Sequence, residues 1–262
     1  MLHLIVMAFA PALLNRRNVA RLLVIIPAWN EEKALPLTLP GISRELPEAD
    51  ILVVNDGSSD NTTAAALNAG VECQVATLPV NLGVGGALRV GYEYAVKQGY
   101  DYACQIDADG QHDPKFVREM LEAAKSSAAD VVIGARFAGI GDYQMHGPRK
   151  WASKMLAGLL SAVTRARLTD PTSGFKLTNA RANCILANHM PVEYLGDTIE
   201  ALVIMRKAGL KVTQVGVEMH ERVAGLPSHS AWKSAQQLFR AMATVLVALT
   251  RRKIDPPNQG AE

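Results

Sequence analysis

Cysteine is scarce in this sequence, and the three that occur, Cys73, Cys104 and Cys184, form no C-x-x-C pair. Such spacing excludes a disulfide framework and a cysteine-rich zinc site, and fits a reducing cytoplasm. An excess of one charge sign is also missing: 27 Lys plus Arg against 25 Asp plus Glu give a formal net charge of +2. No global field is available to hold nucleic acid unspecifically, so nucleic acid is not an expected partner. Long hydrophobic runs are lacking too. Residues 1–14 are mostly apolar, but His3 and Pro11 interrupt them and they fall short of the ~20 residues a membrane span needs. Arg16, Arg17 and Arg21 follow the apolar stretch instead of preceding it, unlike a signal peptide. Residues 1–20 therefore read as a loose extension. The charge-free run 241–250 is also too short to cross a bilayer. Leu238, Met242, Val245, Leu246 and Leu249 keep helical spacing there, and Arg251, Arg252 and Lys253 follow. This predicts an amphipathic helix and basic tail over 231–262, packed on the core or laid on a membrane surface.

What is present alternates. Apolar, β-branched runs at 22–27, 51–54, 73–78, 102–106 and 130–133 read as buried strands, with helical stretches such as 62–69, 86–97 and 114–125 between them. Asp60 is placed to cap the first of these helices. Strand and helix in turn imply an α/β fold: a Rossmann-like, mostly parallel sheet flanked by helices. Beyond residue 135 come a glycine-punctuated loop at 139–147, a helix near 150–163 and a strand at 211–217, an extension of the same domain. One domain over 21–230 is expected.

In parallel sheets the ligand sits at the carboxyl ends of the strands. Three of those ends carry polar clusters in register: Trp29-Asn30-Glu31-Glu32, Asn55-Asp56, and Asp107-Ala108-Asp109-Gly110-Gln111-His112-Asp113. In extended geometry Asp107 and Asp109 would point to one side of the chain. Two like charges held together call for a cation, and oxygen ligands with the Gln111 amide suit Mg²⁺ or Mn²⁺ better than zinc. Such an ion takes one or two carboxylates plus phosphate oxygens, so a diphosphate is the natural co-ligand. Trp29 offers a platform for a planar base, or else fills the core, and Asp56 can accept ring N–H hydrogen bonds.

The segments VIIPAWNEE, VVNDGSSDNT, NLGVGGAL, QIDADGQHDP, GARF and DPTSGFKL occur in this order. Together they resemble family 2 glycosyltransferases of the GT-A fold, and within them the polyprenyl-phosphate (dolichyl-phosphate) sugar transferases. The likeness covers about residues 21–230. It implies a metal-dependent, inverting transfer of a hexose from a GDP- or UDP-sugar to a polyprenyl phosphate, at the inner face of the cytoplasmic membrane. A membrane contact, a membrane-protein partner or a homo-oligomer is compatible with it. By the resemblance, Pro27, Trp29, Glu31 and Asp56 hold the base and ribose. Asp107, Ala108 and Asp109 bind the nucleotide, and Asp107, Asp109 and Gln111 the metal. Arg136, Arg149, Ser173 and Arg222 take the acceptor phosphate, with Asp170 and Gly174 in the floor of that pocket. The family's tyrosine or phenylalanine is Trp29 here, its second aspartate is Asn55, and residues 222–229 contain no lysine.

A phosphate monoester is already anionic and attacks without a general base, whereas a sugar hydroxyl needs one. The candidate base is Asp197, which reads equally as the N-cap of a helix starting at Thr198. A transfer to a hydroxyl, or a non-catalytic nucleotide-sugar-binding subunit, are the alternatives. The run 83–88 (GVGGAL) imitates a dinucleotide fingerprint but has Leu88 at its third glycine, and the loop after the first strand lacks the glycines and arginine of a nucleotidyltransferase.

Overall fold

The structure is a computed structural model. It describes residues 20–136, 168–191, 197–220 and 222, together with 158, 160 and 161. The expected N-terminal extension, the loop at 139–147, Arg149 and the amphipathic helix of 231–262 lie outside the described residues.

The elements run β1 (Leu22–Ala28), α1 (Leu35–Glu45), β2 (Asp50–Asn55), α2 (Thr62–Leu67), β3 (Gln74–Thr77), α3 (Gly83–Gln98) and β4 (Tyr102–Gln105). A 3₁₀ turn at Pro114–Phe116 leads into α4 (Val117–Ser127), then β5 (Val131–Ala135), β6 (Lys176–Asn179), α5 (Ala180–His189), α6 (Asp197–Lys207) and β7 (Val212–Gly216). The seven strands are ordered β3-β2-β1-β4-β6-β5-β7. All pairings are parallel except those of β6, which runs antiparallel to β4 and β5.

Strands β1, β2 and β5 are buried on both faces, which is why they read as continuous apolar runs. Alternation along β1 sends Leu23 and Ile25 to one face, against Leu88 and Tyr92 of α3, Ile185 of α5 and Leu202 of α6. It sends Val24 and Ile26 to the other, against Leu39 and Ile42 of α1 and Met120 of α4. Helix α3 lies so close to β1 that a Cβ on Gly91 would come within 2.4 Å of Ile25 Cγ2.

Helix α1 fills the place between β1 and β2 that the alternation of strand and helix leaves for one, despite Pro36 and Pro40: Pro36 falls in the first turn, where no N–H is needed, and Leu35, Thr38, Leu39 and Ile42 bury one face. One expectation needs correction. The residue flanking α2 is Asn61, not Asp60, although the Asp60 carboxylate accepts the N–H of Thr62 over 3.0 Å.

The topology decides where a ligand can sit. From β1 the chain winds outward through β2 and β3, then returns to place β4 on the other side of β1. That reversal opens a crevice at the carboxyl ends of β1 and β4. Since β5 and β7 share their direction and β6 opposes it, the residues after β1, β2, β4, β5 and β7 and those before β6 meet at one edge.

Candidate active site

The tip of β1 is built for exposure. Pro27 ends the strand core, and Trp29 follows with 49% of its surface exposed, so it is not a core residue. Asn30 adopts a left-handed φ of 57° and ties this tip to the β2 loop: its N–H donates to Ser58 Oγ (2.9 Å) and its Oδ1 accepts from Ser59 N (2.9 Å). The N–H of Glu31 donates to Thr62 Oγ1 over 2.9 Å. Burial, together with the carboxylates of Asp109, Asp60 and Asp107, pushes the Glu31 pKa up to about 7, against the opposing charge of Arg222.

Asp56 is buried, and its Oδ1 accepts the N–H of Leu82 over 2.7 Å at the entry to α3. Burial raises its pKa, and hydrogen bonds from the Leu82 and Gly83 N–H groups counter that. The residue thus anchors the start of α3, a role that its place at a strand end did not disclose.

After β4 the chain does not continue extended. The strand stops at Gln105 and Ala108–Asp109 form a turn, so the two-residue alternation expected to align Asp107 and Asp109 does not apply. Other contacts place the acids. Ala108 is buried, and its carbonyl accepts from Thr38 Oγ1 of α1 (2.9 Å). Asp107 Oδ1 accepts from Gln105 Nε2 (3.0 Å), and its N–H donates to His112 Nδ1 (3.0 Å). With Nδ1 accepting, the neutral imidazole carries its proton on Nε2, 3.6 Å from Asp107 Oδ2. The His112 ring is buried and stacks on Phe175 with centroids 4.9 Å apart, and burial lowers its pKa against the pull of Asp107 and Asp109. Behind Asp107 stands Gly174, where a Cβ would fall 2.9 Å from Asp107 Oδ2.

Asp109 Oδ1 accepts the N–H of Gln111 over 3.0 Å, and Oδ2 lies 3.1 Å from Arg222 Nη2. Burial raises the Asp109 pKa; the Gln111 N–H opposes the rise, Asp107 adds to it, and Arg222 and His112 work against it. Among the described residues no three His, Cys, Asp or Glu side chains converge to hold a metal. Two carboxylates with the Gln111 amide fit a hard divalent ion whose other ligands are phosphate and water oxygens, and the guanidinium on Asp109 marks the position as one that accepts a cation.

Arg136, just beyond β5, is held by a buried carboxylate: its Nε and Nη2 donate to Asp170 Oδ2 (2.6 Å) and Oδ1 (3.0 Å). Thr172 Oγ1 also donates to Asp170 Oδ1 over 3.1 Å. Ser173 is buried, with its Oγ accepting the N–H of Phe175 (3.2 Å). Buried Lys176, paired in register with Gln105, donates through Nζ to the Ser173 carbonyl. Asp197 is the first residue of α6 rather than the residue before it. Arg136, Arg222, Ser173 and the acids therefore share one sheet edge. Thr38, Gln105, His112 and Lys176 are site-building residues that the sequence did not single out; Gln105, His112 and Lys176 fall inside the quoted segments, and Thr38 lies outside them.

Comparison with known proteins now decides the family. The model of "Glycosyl transferase family 2" matches residues 23–186. The chain belongs to that family. This glycosyltransferase is 34% identical over 218 residues to the undecaprenyl-phosphate mannosyltransferase of Micrococcus luteus, covering 78% of this chain and 86% of the relative. It is 32% identical over 236 residues to the polyprenol monophosphomannose synthase of Mycolicibacterium smegmatis, covering 86% of each. A structural match is the glucosyl-3-phosphoglycerate synthase of Mycobacterium tuberculosis, solved with Mn²⁺, UDP and phosphoglyceric acid, with TM-score 0.64, 21% identity and coverage of 88% of this chain and 79% of that one. At that identity the likeness speaks for the shared fold, and it agrees with the expected GT-A architecture.

Proposed function

We propose that this glycosyltransferase moves a hexose from a GDP- or UDP-sugar to a polyprenyl phosphate, in one displacement that inverts the anomeric carbon. The observation that carries the reading is the meeting of Asp107 and Asp109 with Arg136 and Arg222 at the crevice edge, one group suited to a metal diphosphate and the other to a phosphate acceptor. The named relatives support it, since two of them carry undecaprenyl phosphate or polyprenol in their names.

In this reading Trp29 stacks on the base, and Pro27, Glu31 and Asp56 bound the base and ribose pocket. Asp107, Ala108 and Asp109 hold the nucleotide, and Asp107, Asp109 and Gln111 would hold Mg²⁺ or Mn²⁺. The ion, when bound, neutralises charge on the departing diphosphate. Gln105 and His112 fix the Asp107 carboxylate so that it need not reorganise. Arg222 and Arg136, the latter oriented by Asp170, attract the acceptor phosphate, with Arg149 and Ser173 completing that side. The phosphate monoester is anionic at neutral pH, so no residue is required to deprotonate it.

The lipid acceptor places the work at the cytoplasmic face of a membrane. Among the described residues no helix is long and apolar enough to cross one. The catalytic unit would span 21–230, with 231–262 as the amphipathic contact.

The second reading, a hydroxyl acceptor with Asp197 as base, draws on Asp197 opening α6. Labelled GDP- and UDP-sugars, offered with Mn²⁺ to polyprenyl phosphate and to free glycans, separate the two. A lipid-linked product insensitive to Asp197→Asn supports the phosphate acceptor. Transfer only to glycans, lost in Asp197→Asn, overturns it.

A further inference from the structure

Arg222 approaches the acidic turn from beyond the end of β7, and its position is built. Just past β7, His220 donates its N–H to the Gln111 carbonyl over 2.9 Å, and Met219 forms an antiparallel bridge with His112. The hydrogen bond is part of that bridge, and it fixes residues 219 and 220 against the very turn that carries Asp109. The guanidinium then reaches Asp109 Oδ2 at 3.1 Å, where the carboxylate side chain is 7% exposed and the arginine side chain 40%. Glu31, Asp107 and Asp109 lie within electrostatic reach of one another. Arg222 thus supplies a positive charge that an acid-lined pocket otherwise draws from solution.

We infer that Arg222 is the resident counter-cation of the metal position, occupying the Asp109 oxygen that the divalent ion takes, so that the ion loads together with the nucleotide diphosphate and not ahead of it. The inference rests on the proposed role of Asp107 and Asp109 as metal ligands. Its physics is exclusion: a guanidinium and a divalent cation compete for one carboxylate oxygen, and each repels the other at that distance. A free ion has to displace the arginine without offering it anything in return. A metal diphosphate brings anionic oxygens to which the released guanidinium can turn, because Arg side chains pair with phosphate as readily as with carboxylate. The same residue therefore weakens binding of the bare ion and strengthens binding of the metal nucleotide. That opposition of sign separates it from an arginine that serves only the acceptor.

Mn²⁺ titrations followed by electron paramagnetic resonance test this on the full chain, using wild type, Arg222→Met, Arg222→Lys and Asp109→Asn, each with Mn²⁺ alone and with UDP or GDP added. Arg222→Met should bind Mn²⁺ alone about tenfold tighter than wild type and gain less from added nucleotide, while Arg222→Lys, which keeps the charge, stays near wild type. A wild-type Mn²⁺ affinity in Arg222→Met, with binding lost in Asp109→Asn, overturns the counter-cation role and leaves the metal site standing. Failure of wild type and Arg222→Met alike to bind Mn²⁺, even with nucleotide, overturns the metal site and the inference together. A thermal melt of Arg222→Met that matches wild type confirms that the comparison is between folded proteins.

Discussion

Arg136 grips Asp170 with two parallel hydrogen bonds, of 2.6 Å from Nε and 3.0 Å from Nη2, across the gap between the end of β5 and the loop that precedes β6. The carboxylate is 1% exposed. Removing its partner leaves a buried charge uncompensated, the costly half of breaking any buried pair. Arg136→Ala should therefore lose stability by roughly 2–4 kcal/mol in urea unfolding, quite apart from any loss of turnover. Arg136→Lys should fall between, because a single ammonium cannot reproduce the fork. A stability change under about 0.5 kcal/mol in Arg136→Ala would show that Asp170 does not depend on the pair.

Glu31 gives the fold a pH signature. Its pKa is pushed from the ordinary 4.5 to about 7, chiefly by burial and by Asp109. A carboxyl whose folded pKa lies above its unfolded one contributes stability that is complete below the unfolded value and is lost as pH rises through the folded value. Glu31→Gln should thus become more stable than wild type as pH rises from 4.5 to 7, by about 1 kcal/mol at pH 8 once solvent screening of this half-buried group is allowed for. Chemical denaturation at pH 4.5, 6 and 8 measures it. A difference that stays flat with pH would contradict the raised value.

Gln105 and Gly174 set the Asp107 carboxylate. Gln105→Leu removes the hydrogen bond to Oδ1 with little change in volume, and Gly174→Ala puts a methyl 2.9 Å from Oδ2. Each should weaken Mn²⁺ binding in the presence of UDP or GDP by about 10- to 100-fold, the usual effect of losing an outer contact to a metal ligand. Isothermal titration calorimetry reads this directly. Unchanged affinity in both variants would mean that Asp107 is not held through them.

Much of this arrangement was legible in the chain, for reasons that individual residues make plain. Strands β1, β2 and β5 are buried on both faces, so their apolar runs are unbroken and their ends carry the polar clusters that mark the site. Strand β6 was not legible: its four residues, Lys176–Asn179, are mostly polar, and Lys176 is buried with its ammonium donating to the Ser173 carbonyl. The prolines of helix α1 obscured its buried face, and with it Thr38, which anchors the Ala108 carbonyl. The alignment of Asp107 and Asp109 was expected for the wrong reason, since a turn replaces the extended chain and contacts distant in sequence do the positioning. The pairing of Arg136 with Asp170, 34 residues apart, and of Arg222 with Asp109 belong to the same class: no local pattern encodes them.

The proposed transfer requires a divalent cation and a nucleoside diphosphate sugar to meet at Asp107 and Asp109. The most direct measurement is transfer of labelled hexose from GDP- and UDP-sugars to polyprenyl phosphate across a Mn²⁺ titration, for wild type and Asp109→Ala. Turnover should rise with Mn²⁺ and vanish with EDTA in wild type, and fall on the order of a thousandfold in a folded Asp109→Ala. Transfer that ignores EDTA, or an Asp109→Ala variant that works at the wild-type rate, would contradict it.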